Sequence, residues 1–422
     1  MKNFFRSIHL YLSLACGLVI GLVCFTGATM VFEKEMMQAI YPDRYQVTPG
    51  TQRLPLEQLL TNFNQAKPGI KVAGVKVYSD PTRTVELSYS DEKPAGKDGD
   101  KGEHKGSENR EHKAEEKGGA AGADKGEKGG HGGPGKGGKG GGGRPGNVAF
   151  INPYTGQLIA TSTQKNAFFR NMFELHRWLL VQEPGKLIVG VSTVVFLFIL
   201  ITGIILWWPK NKKILQQRLT VKWNAGWKRI NHDWHIVIGF YTALFLFVFA
   251  FTGLAWSFEW FNDGIYTLTN TTKDQPEPPV SQVKEGAKPI TFDQAFATAQ
   301  QQIPNAEFYQ FNRPREAEDA FMVMVMPANA AHERATSQLF IDQYSGNQLG
   351  QIAFADKNLG QRIRSTFYPV HVGSIGGLPG RIIAFISCLA GFTFPITGVI
   401  MWINRLRKNK KKSQKRAFAQ AR

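Results

Sequence analysis

Five of the nine histidines stand beside long apolar runs: His9, His176, His232, His235 and His371. A neutral imidazole is a common transition-metal ligand, and four of these five fall into pairs when the chain is laid on itself. Shifting by 226 residues superposes His9 on His235, Phe25 on Phe251 and Thr26-Gly27 on Thr252-Gly253, without a gap. Shifting by 195 superposes His176 on His371, Pro184-Gly185-Lys186 on Pro379-Gly380-Arg381, Thr202-Gly203 on Thr397-Gly398 and Trp207 on Trp402. Two imidazoles on opposite sides of a macrocycle are the usual axial ligands of a low-spin b-type haem, and helix bundles hold such groups between facing helices. Pairs at two levels imply two haems. A bare ion would need further ligands, and no carboxylate or thiolate accompanies either pair. A lone interfacial histidine is an ordinary headgroup-level anchor; symmetric retention of two pairs favours ligation.

His232 precedes His235 by three residues and shares its helix face. It aligns with Arg6, so His235 is the expected ligand, with His232 a propionate partner or alternative ligand and Arg6 its counterpart. Thr26 lies seventeen residues after His9, about 25 Å along a helix. Each Thr-Gly dipeptide therefore falls level with the opposite histidine pair, where a glycine leaves room for a flat ring. Close helix packing through small residues is the competing explanation.

The elements that must position these residues are four apolar runs without charge, Leu10–Phe32, Leu187–Trp208, Ile236–Trp256 and Ile382–Ile403. Each is long enough to cross a hydrocarbon core of ~30 Å. The expected division is a span at 10–32, a polar domain at 33–165, a span at 186–208, a basic loop at 209–231, a span at 236–260, a polar domain at 261–365, a span at 381–403 and a basic tail at 404–422. The polar domains repeat as well: LPLEQLL at 54–60 resembles ITFDQAF at 290–296, and INPYTGQL at 151–158 resembles IDQYSGNQ at 341–348. Each reads as one short helix and three strands, near 70–78, 84–90 and 147–152, then near 307–312, 320–326 and 337–342. The Tyr-Thr-Gly and Tyr-Ser-Gly turns close the last strands, their glycines supplying positive φ. The fold class is therefore membrane α-helical, with four spans in two tandem repeats, each carrying a small α+β domain. Residues 91–146, rich in Gly, Lys and Glu without an aromatic, cannot bury enough apolar surface to fold and read as a disordered insertion holding His104, His112 and His131. His332 reads as an ordinary surface residue.

Mean hydropathy is −0.24, diluted by the polar segments. The net charge of +18 equals the Lys and Arg at residues 1–8, 209–231 and 403–422, which contain no acidic residue. That collar is a membrane signature, not a nucleic-acid surface. It places both termini and the middle loop in the cytoplasm and the polar domains outside. The first run is too long for a signal-peptide core. Cys16, Cys24 and Cys388 all lie within spans, so the polar domains have no disulfide framework. Trp207, Trp208, Trp256, Trp260 and Trp402 read as aromatic belts.

The doubled pattern of a histidine at a run's start, FTG or ITG-xxxW near its end, and strands closing in Y-[TS]-G resembles the PepSY-associated transmembrane family of bacteria, some of whose members are known as iron-regulated membrane proteins. The resemblance covers nearly all the chain except 91–146. Characterised relatives look like inner-membrane ferric-siderophore reductases with two b-type haems, which implies His9 with His235 and His176 with His371 as ligands. The expectation is an oxidoreductase passing electrons across the bacterial inner membrane to a ferric siderophore or other ferric chelate in the periplasm. No Gly-rich dinucleotide fingerprint follows a strand, so the donor would be a quinol or a separate cytoplasmic reductase. Two rivals are a membrane-anchored module that binds another protein, and a metal or solute transporter. The sequence names no catalytic residue, chelate or oligomeric state.

Overall fold

The computed structural model describes residues 2–90, 147–163, 166–284 and 286–420, so the 91–146 insertion and its three histidines lie outside the described residues. In chain order the first half runs α1 (Lys2–Met30), α2 (Glu33–Ile40), α3 (Pro42–Tyr45), α4 (Leu56–Ala66), β1 (Lys71–Tyr78), β2 (Val85–Ser90), β3 (Asn147–Ile151), β4 (Leu158–Thr163), α5 (Ala167–Trp178) and α6 (Gln182–Trp207). A basic connection with α7 (Lys212–Leu219) and α8 (Trp227–Asp233) leads through a π-helical turn, Trp234–Ile238, into α9 (Gly239–Ser257). The second half continues with α10 (Glu259–Leu268), α11 (Phe292–Gln302), β5 (Ala306–Asn312), β6 (Phe321–Pro327), β7 (Ser337–Ile341), β8 (Gln348–Ile352), α12 (Leu359–His371) and α13 (Gly377–Gln420).

Among the described residues four helices are long and apolar enough to cross a membrane: α1, α6, the continuous α8–α9 and α13. Helices α1 and α9 each pack on both α6 and α13, so α1 and α9 face one another across the bundle. Two close backbone approaches fix the helices entering it. A Cβ on Gly185 would meet the Trp178 carbonyl oxygen at 1.6 Å, and one on Gly380 would meet the Gly373 carbonyl oxygen at 2.3 Å. Those glycines let α6 and α13 start directly against the ends of the preceding segments. Before α6 the chain reverses through Leu179, Leu180 and Gln182, all at positive φ, a conformation uncommon for such residues.

Among the described residues the strands form one eight-stranded antiparallel sheet ordered β4-β3-β2-β1-β5-β6-β7-β8. Each polar segment gives four strands rather than three. The turns at Gly156 (φ 71°) and Gly346 (φ 73°) do not end the sheet but lead into β4 and β8 at its edges. The halves join where β1 pairs with β5, Val75 opposite Phe311 and Val77 opposite Tyr309. Helices α4 and α11 cover one face, burying Leu59, Phe63, Phe292 and Ala299 on Val75, Leu87, Phe311 and Val323. Their N-termini cap each other: Asp293 accepts from the N–H groups of Leu56 (2.7 Å) and Glu57 (3.0 Å), and Glu57 from that of Phe292 (2.8 Å). A carboxylate suits the partial positive charge of a helix start.

Candidate functional site

The structure brings the four paired histidines together two by two. His9 on α1 and His235 in the π-helical turn meet with ring centroids 6.5 Å apart and planes at 79°. His176 on α5 and His371 at the end of α12 meet at 6.2 Å and 71°.

Each ring is held in the same way, by the Thr-Gly dipeptide of its own half. His9 Nδ1 donates to the Ile199 carbonyl and to Thr202 Oγ1, both at 3.1 Å. His176 Nδ1 donates to the Val23 carbonyl (2.9 Å) and Thr26 Oγ1 (3.1 Å), and His371 Nδ1 to the Phe249 carbonyl (2.8 Å) and Thr252 Oγ1 (3.1 Å). His235 Nδ1 lies 2.8 Å from Thr397 Oγ1, whose own proton is donated to the Thr393 carbonyl at 3.0 Å, so here too Nδ1 is the donor. A carbonyl only accepts, so the network places the proton on Nδ1 and leaves the Nε2 lone pair available. No described residue hydrogen-bonds to Nε2 of any of the four. Such an Nδ1 bond is what orients a metal-ligating histidine and raises its basicity.

The glycine beside each threonine serves the imidazole. A Cβ on Gly203, Gly27, Gly253 or Gly398 would lie 3.3, 3.2, 3.3 or 3.5 Å from Cε1 of His9, His176, His371 or His235. The expected room for a macrocycle is therefore first of all room for the histidine. Helical rise fixed the level of each glycine, but not the direction in which it faces.

With a metal–nitrogen bond of about 2.0 Å and about 1.1 Å from Nε2 to the ring centre, two coaxial imidazoles place their centroids about 6.2 Å apart. Both observed separations agree with that figure. Among the described residues no three His, Cys, Asp or Glu converge as a metal site. Each pair therefore offers two imidazole nitrogens, with no third side-chain donor among the described residues. Around His9 and His235, the inner pair, the bundle holds a cavity of about 600 Å³ lined by both histidines, Gly203, Gly398, His232 and the cationic Arg6, Arg218 and Arg405. Its volume is typical of a small-molecule site.

His232 shares this cavity, but its Nδ1 is 3.2 Å from Asp233 and the side chain is half-exposed, so His235, not His232, faces His9. The π-helical turn at 234–238 carries His235, and such turns occur frequently at functional sites. His176 and His371 sit on separate short helices outside the four spans, where burial lowers their imidazoles to about 3 and about 4 and keeps them neutral. His332 is half-buried against Phe354, ring centroids 5.1 Å apart.

The threonine roles were missed in the sequence although their signal, a Thr before each repeated Gly, was visible. Two tryptophans also do more than border a membrane. Trp207 is buried, stacks on Phe240 at 3.6 Å and lines the inner cavity, while Trp256 lies 5.3 Å from His371.

No curated protein matches the chain. The family model for the PepSY-associated TM region matches residues 6–405, nearly the full length, and the chain belongs to that family.

Proposed function

We propose that this protein is a two-haem electron conduit of the bacterial inner membrane that reduces a ferric siderophore or similar ferric chelate in the periplasm. The observation that carries the reading is the matched separation of both histidine pairs, 6.5 and 6.2 Å, with every Nδ1 tied to a neighbouring helix. A haem iron, when bound, supplies reversible one-electron exchange. The chain supplies the rest: His9 with His235 and His176 with His371 bring two imidazoles together in each pair, the threonines fix ring orientation, and the apolar spans exclude water. Arg6, Arg218 and Arg405 give the inner cavity positive charge for the acidic groups of such a ring.

The matching histidine seats and the mirrored strand order support descent from a duplicated unit. The basic termini and middle loop support a cytoplasmic placement for them and a periplasmic one for the sheet. Two centres suit a ~30 Å apolar core, which is wide for one transfer step. One electron converts Fe(III) in the chelate to Fe(II), which hard-oxygen ligands hold more weakly. A quinol or a cytoplasmic reductase provides that electron.

Proteoliposomes with a reduced donor on the inner face and a ferric chelate plus an Fe(II) indicator outside test the reading. Wild-type protein should generate external Fe(II), and His9→Ala and His371→Ala should each stop it. Undiminished reduction by His371→Ala would exclude a path through the outer pair.

A further inference from the structure

Two guanidinium groups stand beside the outer histidine pair with no charge partner among the described residues. Arg177 follows His176 on α5, and Arg364 lies on α12 two helical turns before His371, on the same face. Trp256 connects them: Arg177 Nη2 donates to its carbonyl at 3.3 Å, the Arg364 guanidinium lies 5.1 Å from its ring, and that ring lies 5.3 Å from His371. Arg364 Nε also donates to Asn262 Oδ1 at 2.6 Å, which fixes its direction.

Both side chains are partly buried, yet among the described residues neither has a carboxylate within 4.0 Å. Burial holds both below the usual arginine range, and the charge of Arg364 adds to this at Arg177. Holding two like charges together away from water is unfavourable unless an anion joins them. Guanidinium groups suit carboxylates, which they bind through paired charge-assisted hydrogen bonds.

We propose that Arg177 and Arg364 form a carboxylate clamp at the rim of the outer site, gripping the acidic side groups of the ring ligand seated between His176 and His371. The inference rests on the two-haem reading and adds the residues that select an acidic ring. The same chemistry would suit a carboxylate-bearing ferric chelate arriving at that rim, so the test separates the two sources.

Full-length apo-protein carrying His9→Ala, which leaves the outer pair intact, is titrated with iron protoporphyrin IX and with its dimethyl ester, following the Soret band. The parent should bind the acid at least about tenfold more tightly than the ester, the scale of one lost charge-assisted hydrogen bond. The double variant Arg177→Gln/Arg364→Gln should bind both forms alike, with the parent's affinity for the ester. Arg364→Lys should recover part of the preference, showing that charge rather than folding was lost. Equal affinity of parent and double variant for the acid would overturn the clamp while leaving the haem reading intact. If that equality came with a raised KM for ferric citrate but not for an uncharged hydroxamate chelate in the holo-protein, the arginines would serve the substrate and the assignment to the ring ligand would fall. A parent that binds neither porphyrin would refute the two-haem reading itself.

Discussion

Replacing Thr397 with valine should weaken the inner site more than the same change weakens either site at the three equivalent threonines. Valine keeps the side-chain shape and removes only the hydroxyl. At His9, His176 and His371 the Nδ1 proton would retain a backbone acceptor, the carbonyl of Ile199, Val23 or Phe249 at 3.1, 2.9 or 2.8 Å. At His235, Thr397 Oγ1 is the acceptor found among the described residues, at 2.8 Å, so Thr397→Val strands a donor. An unsatisfied buried donor costs about 1–3 kcal/mol, which is about fivefold to 150-fold in affinity. Losing one limb of a shared bond should cost under about 1 kcal/mol, about fivefold or less. Haem titrations of the four apo variants give the comparison directly. Thr397→Val binding haem within twofold of Thr202→Val would show that the Thr397 hydroxyl is not the sole acceptor for His235.

Gly203→Val should abolish haem at the inner site, because even a Cβ there would stand 3.3 Å from His9 Cε1; haem per chain should fall from two to one in a pigment assay. Glu57→Ala and Asp293→Ala should each lower the stability of the sheet and its two helices by about 1 kcal/mol, the usual value of a helix cap, measured as a shift in the denaturation midpoint. Asp342 should make stability acid-sensitive. Burial raises its pKa, but N–H groups of Ser345, Gln282 and Tyr344 and the Ser345 hydroxyl outweigh this and hold it below the ordinary value. Its contribution is therefore full above an unfolded value of about 3.9 and is lost as pH falls through the folded one. Asp342→Asn should flatten that acid limb in thermal melts recorded from pH 6 to pH 2.

The sequence showed the four spans because about 20 apolar residues without charge have few other uses. It showed the histidine pairs because both were read through ungapped alignments. The direction of the Thr-Gly dipeptides was hidden, since a rise of 1.5 Å per residue gives depth but not azimuth. The edge strands β4 and β8 were hidden for a different reason. LIATST turns from apolar to polar half-way and QLGQI carries a glycine, and neither has a buried residue from 158 to 162 or from 348 to 352, so the alternation that reveals a strand is weak. Nor could alternation show that β1 and β5 would join two four-stranded halves into one sheet, because a free edge and a paired one have the same side-chain period. Arg177 and Arg364 are 187 residues apart and acquire meaning only where α5 and α12 bring them to Trp256.

In the proposed reading, His9 with His235 and His176 with His371 each hold one haem. Its most direct test is a reduced-minus-oxidised spectrum with pyridine haemochrome quantification on detergent-purified protein and the four single histidine-to-alanine variants. Two b-type haems per chain, with His9→Ala and His235→Ala losing one and His176→Ala and His371→Ala losing the other, is the predicted result. A colourless protein from haem-replete cells, or full haem content in all four variants, would contradict it.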